Sequence, residues 1–465
     1  MGKMTEEWKR ALDLLEKSQS ALFVTGKAGV GKTRLLREWK MKTKKSLVVL
    51  APTGVAALEA GGQTIHSFFR FKPNMTKASI RKFADSDVEG LVYRKLEAIV
   101  IDEVSMLRAD LLDCIDQFLR LNGPVPGMAF GGVQMVFVGD LHQLPPVVGQ
   151  AEREIFKTLY ETPFFFSAHV LGGESPQMGL FNKQFEPAPF EVIELTRVYR
   201  QKDKQFLEIL NAVRDDVCQE DHLNNLNTRY KSSWRQSENV PRGWIAITTT
   251  NARAGAINTS ALDKLPGSEH IYKAGRLGNV TLDSVPAEMD LCLKAGSQVM
   301  MLTNDPLDRW VNGTIAFVEG FEKGEDRIER VRVLLPDGSS VFIGPHTWET
   351  FSWSYDKSNH SMTSEVMGTV TQYPLKLAWA ITIHKSQGKT FDRVLIDIDR
   401  GTFAPGQLYV ALSRCRTLEG IRLLRPIERQ HVETDLRIKR FLKDKGNSLL
   451  KTKKKCIIKA KISKK

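Results

Sequence analysis

The feature that most restricts this chain is GKAGVGKT (26–33), which follows the apolar run ALFVT (21–25) and precedes a stretch with helical patterning. A glycine-rich turn between a buried strand and a helix lets main-chain N–H groups wrap a phosphate closely, where a Cβ would intrude. In the G-x-x-x-x-G-K-[ST] pattern the lysine reaches the β- and γ-phosphates and the hydroxyl residue holds Mg²⁺. The residues in those places are Gly26, Lys27, Ala28, Gly29, Val30, Gly31, Lys32 and Thr33. Such a loop belongs to an α/β fold with a parallel sheet.

The surrounding pattern agrees. SLVVLA (46–51), EAIVID (97–102) and VQMVFVG (133–139) are further apolar runs that alternate with helical stretches, as strands buried on both faces do. A Gly/Pro-rich segment from 171 to 190 reads as a linker. Beyond it, WIAIT (244–248), the helical NARAGAINTSALDKL, SQVMML (297–302) and RVLIDID (393–399) suggest a second α/β domain. Within it VRVLLPDGSSVFI has Asp-Gly at its centre, a hairpin signal, so residues 312–372 are expected to form an inserted antiparallel β module. The expected division is 1–170 for the first domain, 191–311 with 373–450 for the second, and 451–465 as a basic tail.

Acidic and polar residues sit where these strands end. Asp102-Glu103 closes EAIVID, which lets Asp102 approach the Mg²⁺ held by Thr33 while Glu103 polarises an attacking water. GDLHQLPPV (139–147) follows another strand, and its two prolines fix the backbone that presents Gln143. Read singly, an acidic strand end or a proline turn is a common surface feature. After a phosphate loop each acquires a role.

Composition narrows the partners. The 465 residues carry a formal net charge of +13, which suits a polyanion. KTKKKCIIKAKISKK (451–465) has eight lysines and no acid, and reads either as a solvated tail or as a DNA anchor. The absence of a long apolar stretch argues against a membrane span, and the N-terminus has no signal-peptide core. Five scattered cysteines without a CxxC pair argue against a disulfide framework or zinc site and point to an intracellular, reducing compartment: cytoplasm or nucleoid in a bacterium or virus, nucleus or mitochondrion in a eukaryote.

Eight strings in order, GKAGVGKT, APTGVAA (51–57), TIHSFF (64–69), IDEVSM (101–106), GDLHQLPPV, LTRVYRQ (195–201), ITIHKSQGKTFD (381–392) and QLYVALSRCR (407–416), resemble superfamily 1B helicases. The chain is most similar to the petite-integration-frequency (Pif) family and, more distantly, to RecD-like enzymes. DLLDCIDQFLRLN…FGGVQMVFVGD (110–140) resembles the Pif signature segment, lengthened by GPVPGMA. The resemblance implies two tandem RecA-like domains, a small wedge insertion at about 68–90 and an SH3-like β module. It also implies ATP and Mg²⁺ as cofactors, 5′→3′ translocation on single-stranded DNA, and unwinding of forked or structured DNA, with a monomer expected in the absence of DNA.

The resemblance carries roles onto single residues. Arg200 and Arg414 correspond to arginines that reach the γ-phosphate, and a guanidinium there would stabilise the transferring phosphoryl group. Pro52, Thr53 and Gly54, then His66 and Ser67, correspond to DNA-contacting motifs of the first domain. Thr248 and Asn251, with His384, Lys385, Ser386 and Gln387, correspond to DNA-contacting or coupling motifs of the second. All are short polar donors suited to phosphate oxygens, although Thr53 and Ser386 could equally begin helices. In SFFRFKPNMTKASIRKF, Phe68, Phe69 and Phe71 could stack on bases or pack inside, with packing expected for at least two. The family's adenine-reading glutamine has no counterpart after Met4-Thr5-Glu6-Glu7. Trp8 stands there, either to stack on the base or to fill the core.

Overall fold

A computed structural model describes residues 5–444, apart from 73–74, 85–86, 151, 174–187, 198–202, 234–239, 279–284, 308, 357–360, 399–400 and 402–403. The chain divides into two compact units. Among the described residues, one holds those of 5–197 with 352–356, 361–365 and 434–444, the other those of 203–351 with 366–433.

The first unit is built on a six-stranded sheet of β1 (Ala21–Gly26), β2 (Leu47–Ala51), β3 (Gln63–Thr64), β4 (Ala98–Ile101), β5 (Gln134–Gly139) and β6 (Phe190–Leu195), in the order β3-β2-β4-β5-β1-β6. All pairings are parallel. β1, β4 and β5 are buried at every position, which explains their unbroken apolar runs. Helices Glu6–Lys17 and Lys32–Lys42 contribute Trp8, Leu15, Leu35 and Trp39 to the core on one face. On the other, helix Ala109–Asn122 packs with the aromatic-rich segments around 68–71 and 156–171. Two segments join this unit although the sequence division gave them to the second domain: β6 pairs with β1 along its length, and Ile438 lies in this core. Neither carries a pattern that distinguishes one sheet from the other.

The second unit contains β7 (Ile245–Thr248), β8 (His270–Lys273), β9 (Gly275–Gly278), β10 (Asp290–Leu293), β11 (Gln298–Met301), β12 (Ile315–Lys323), β13 (Glu329–Leu334) and β14 (Ser340–Ile343). After the long strands β15 (His346–Asp356) and β16 (Ser361–Gln372) come β17 (Leu375–Leu377), β18 (Ala380–Thr382), β19 (Val394–Asp397) and β20 (Ile421–Leu423). A four-stranded parallel sheet runs β18-β7-β19-β20, and a five-stranded antiparallel sheet runs β14-β13-β12-β11-β17. The Asp337-Gly338 turn joins β13 to β14, as its sequence requires, with Gly338 at φ +85. SQVMML departs from expectation. β11 lies in the antiparallel sheet between β12 and β17, not in the parallel one. Val299 and Met301 fill that sheet's core, and an apolar run signals burial on both faces without specifying the direction of its neighbours.

Candidate functional site

In the first unit, each strand of the parallel sheet hands over at its carboxyl end to residues that the sequence singled out. β1 leads to the phosphate-loop residues, β2 to Pro52-Thr53-Gly54, β3 to His66 and Ser67, β4 to Asp102-Glu103, and β5 to Asp140 through Gln143. β1 lies between β5 and β6, although the chain passes from β1 to β2 on the far side of β4. Such a reversal opens a crevice at the carboxyl edge, where open α/β sheets bind ligands.

The phosphate loop is shaped by its glycines. Gly26, Gly29 and Gly31 have φ of +146, +81 and +88. A Cβ on Gly26 would meet Leu195 O at 2.4 Å, so only glycine fits beside β6. The Lys32 ammonium donates to Gly26 O at 2.8 Å and Lys27 O at 3.2 Å, spanning the loop. Thr33 is exposed one residue on. Asp102 N donates to Leu50 O at 2.9 Å, which fixes the end of β4, and the Asp102 carboxylate accepts from Glu103 N at 2.9 Å. Glu103 itself stands at φ +48, a strained left-handed conformation for a non-glycine residue. Gln143 is buried, its N–H donating to Asp140 O at 3.0 Å.

These donors fit a nucleotide with its divalent cation: a loop that excludes Cβ atoms, an ammonium, a hydroxyl and a carboxylate, all at one sheet edge. Sequence reading quoted Asp140, His142 and Ser105 inside motif strings but gave none of them a role. Asp140 is fully buried, and its carboxylate meets His142 N at 3.2 Å and His142 Nδ1 at 3.3 Å. The D-x-H spacing inside GDLHQ was the available signal. Ser105 is fully buried, its hydroxyl without a hydrogen-bond partner among the described residues. Nothing in IDEVSM distinguishes it from a helix-starting serine.

The DNA-contact candidates separate into two groups. Thr53 accepts from Ala56 N at 3.3 Å, as a residue opening helix Gly54–Glu59 does. Ser67 and Asn251 are exposed and His66 half-buried. Thr248 is fully buried, donating to Thr250 O at 3.0 Å. Ser386 is fully buried and donates to Ile383 O at 2.7 Å; it closes its short helix, which Thr382 caps. Gln387 is buried, whereas Lys385 is exposed. Burial lowers the pKa of His66 and of His384, so both rings are neutral at pH 7. The Lys385 pKa is lowered chiefly by the charge of Lys376.

Arg414 is almost wholly buried. Its guanidinium donates to Val410 O at 3.0 Å, Lys389 O at 3.2 Å, Ser386 O at 3.3 Å and Ser413 Oγ at 2.8 Å. Arg200 lies outside the described residues, as does the 451–465 tail.

Three aromatic expectations resolve. Phe68, Phe69 and Phe71 are all buried, so the structure gives none of them a solvent-facing ring. They pack with Tyr93 and Phe118: centroid distances are 5.4 Å for Phe68–Tyr93, 5.2 Å for Phe69–Phe118 and 4.7 Å for Tyr93–Phe118. Tyr93 Oη also donates to Phe68 O at 2.8 Å. Trp8 is a core residue whose Nε1 donates to Glu38 at 3.1 Å.

The 110–140 segment is a polar clasp. Asp116 accepts from Arg120 Nε and from Phe130 N, both at 2.7 Å, and Arg120 donates to Gly127 O at 2.7 Å. Phe130 stands at φ +52, and a Cβ on Gly131 would meet Leu119 O at 2.3 Å. One turn earlier, Asp113 accepts from Tyr160 Oη at 2.9 Å and Val170 N at 3.1 Å, and pairs with Lys77 at 3.2 Å and His169 Nδ1 at 3.0 Å. Burial alone would raise the Asp113 pKa; the His169 bond, the Lys77 charge and the Val170 N–H outweigh it and lower it.

Comparison with known proteins gives a consistent result. Residues 3–165 match the family model described as PIF1-like helicase, and 377–418 match that of the UvrD-like helicase C-terminal domain. The chain is 33% identical over 432 residues to the mouse ATP-dependent DNA helicase PIF1, an alignment covering 91% of this chain and 60% of the mouse protein. The chain thus spans under two thirds of the length of that relative. A crystal structure of Bacteroides sp Pif1 in complex with ADP-AlF4 superposes with a TM-score of 0.82 at 36% identity, covering 96% of this chain and 98% of that one. Bacteroides Pif1 bound to ssDNA superposes with a TM-score of 0.66 at 36% identity, covering 96% and 97%.

Proposed function

Because the chain belongs to the PIF1-like helicase family, we propose that it is an ATP-driven DNA helicase that moves 5′→3′ along single-stranded DNA and opens duplexes. The observation that carries this reading is the convergence of Lys32, Thr33, Asp102, Glu103 and Gln143 on one edge of a single parallel sheet. Relatives support the two ligands, since one solved Pif1 holds ADP-AlF4 and another ssDNA.

In this proposal the loop amides and the Lys32 ammonium bind the triphosphate of ATP. The ammonium exchanges the Gly26 and Lys27 carbonyls for phosphate oxygens, which bind it more strongly because donor and acceptor are then both charged. Thr33 and Asp102 would hold Mg²⁺, whose chemistry is to neutralise charge on the phosphates. Glu103 orients the attacking water and takes its proton. Gln143 reads the terminal phosphoryl group, and Arg200 stabilises the charge that builds on it. Arg414, given the same role by the family resemblance, is held on four acceptors of its own unit and would have to leave them to act. Pro52, Thr53, Gly54, His66, Ser67, Asn251, His384, Lys385 and Gln387 bond the DNA backbone. Thr248 and Ser386, fully buried, position those loops rather than touch the strand. The domain boundaries, the SH3-like character of the inserted module and a monomeric resting state belong to the same proposal.

The test is ATPase activity with and without single-stranded DNA, using Lys32→Ala as control, beside unwinding of 5′- and 3′-tailed duplexes. DNA-stimulated hydrolysis with opening of the 5′-tailed duplex supports the reading; hydrolysis indifferent to DNA sinks it. A second reading, a translocase that leaves duplexes closed, gains from the burial of Phe68, Phe69 and Phe71. It predicts displacement of a bound protein from a single strand without release of the complementary strand.

A further inference from the structure

The amino ends of the second parallel sheet, opposite the edge that carries Asn251 and His384, form a site that the motor reading does not use. A cavity of about 760 Å³ opens there, lined by Arg229, Trp244, Asp392, Arg393, Glu419 and Arg422 among others. Trp244, Arg393 and Gly420 each immediately precede a strand, β7, β19 and β20. The floor is close-packed. A Cβ on Gly420 would meet Asp392 O at 2.1 Å, so only glycine lets the two strands begin side by side.

Main-chain carbonyls gather the cations. Arg229 donates from Nη2 to Glu419 O at 2.9 Å and from Nε to Ile421 O at 3.3 Å. Arg422 Nη1 donates to the same two oxygens, at 3.3 and 3.1 Å. Two guanidiniums thus share one pair of neutral acceptors, which hold them together without cancelling their charge. Arg422 also stacks over Trp244, its Cζ 5.0 Å from the ring centroid, a cation–π contact that steadies the group at the cavity wall. Arg229 is pinned through its own carbonyl, which accepts from Leu423 N at 3.2 Å. Arg393 is exposed beside them. Burial first, then the charges of Arg229 and Arg393, lower the Arg422 pKa, as expected of cations held in mutual repulsion. Of the two carboxylates, Asp392 is bridged by Arg416 at 3.2 Å and Glu419 is exposed. Four guanidiniums against two carboxylates leave the locality positive.

We propose that this arginine cavity is a second nucleic-acid contact, which holds the phosphodiester backbone of a DNA arm outside the motor's own track. The inference rests on the DNA-helicase reading above. Guanidiniums match phosphate oxygens in geometry and keep their charge at any physiological pH. The volume is in the range that encloses a ligand of several hundred daltons, larger than one phosphate, and accommodates a nucleotide unit of a strand. β7 spans only four residues, about 13 Å at strand rise, so a DNA that passes the carboxyl edge lies within reach of the amino edge.

The experiment compares binding of a forked duplex with binding of a short single strand across a salt series. It uses the full chain, Arg393→Glu and Glu419→Lys. Arg393→Glu should lower fork affinity about tenfold and flatten the salt dependence by at least about one unit of slope, while single-strand affinity holds. Glu419→Lys should tighten fork binding and steepen the slope, a gain that misfolding cannot produce. Fork binding unchanged in both variants overturns the inference and leaves the helicase reading standing; a wild-type chain that binds no DNA overturns both. Inorganic phosphate and a phosphoserine peptide serve as competitors. Displacement of the fork arm by the peptide at micromolar concentration, or saturation of the cavity by phosphate alone, also overturns the assignment to a strand.

Discussion

The two parallel sheets carry comparable strings of polar residues at their carboxyl ends, yet they use them differently. At the edge of the six-stranded sheet Asp140, His142 and Gln143 are buried, but the rest meet solvent: Lys32, Asp102 and Glu103 are half-exposed, and Thr33 and Ser67 are exposed. At the edge of the four-stranded sheet Thr248 and Ser386 are buried, and Arg414, at the end of the helix before β20, is buried too; each is hydrogen-bonded within its own unit. The first edge is equipped to meet a ligand directly. The second keeps much of its polar apparatus inside, where a hydrogen bond holds a loop in one conformation and a lost partner leaves a buried acceptor unsatisfied. Similar motif chemistry can therefore be spent on contact or on positioning, and full burial marks Thr248 and Ser386 for the second.

The sharpest way to break this contrast is to truncate one residue of the solvent-facing group and one of the buried group. Lys32→Ala should reduce ATP turnover by about 10²–10³-fold, the usual cost of one preorganised electrostatic group, while thermal stability moves by less than about 1 kcal/mol. Steady-state ATPase beside calorimetry reads both, and a large fall in melting temperature would place Lys32 with the buried group. Arg414→Ala should do the reverse at first sight: four acceptors lose their donor, and stability falls by about 3 kcal/mol. Arg414→Lys, which restores a charge without the planar fork, should recover part of the stability and little of the turnover. Full recovery of both would reduce Arg414 to a structural cation.

A smaller effect concerns Asp113 in the first unit. Its pKa is lowered on folding, so its contribution to stability is present above the ordinary carboxylate value of about 3.9 and is lost as pH falls through the folded value. Asp113→Asn should cost about 2 kcal/mol at neutral pH and remove that acid-dependent loss, so denaturant melts of the two proteins should converge toward pH 3. Parallel curves would show that the carboxylate charge is irrelevant to the clasp. The mildest test pairs Ser386→Ala with Asn251→Ala. The first should lower stability by about 1 kcal/mol. The second should weaken single-strand binding severalfold and leave the melt in place.

Much of this architecture was legible in the sequence because the signals were local. The phosphate loop follows its strand, Asp102 closes β4, and Asp337-Gly338 makes its hairpin. What the sequence could not specify was pairing at long range. SQVMML joined an antiparallel sheet, because an apolar run encodes burial and not the direction of its neighbours. β6 and Ile438 joined the first unit through partners more than a hundred residues away. Among site residues, the family resemblance could name Thr248 and Ser386 but could not show that their hydroxyls turn inward. The arginine cavity was invisible, since Arg229, Arg393 and Arg422 form no motif and meet only through the sheet.

The ring cluster of Phe68, Phe69, Phe71, Tyr93 and Phe118 bears on where force would be felt if the proposed motor turns over. Phe69 and Phe71 pack edge to face on Phe118 of helix Ala109–Asn122, which ties the 68–71 segment to the core of the first unit. On that proposal a load on this segment would be carried by the core, as a blade welded to its beam moves with the beam. Loosening the weld with smaller side chains would then impair unwinding before it slowed hydrolysis.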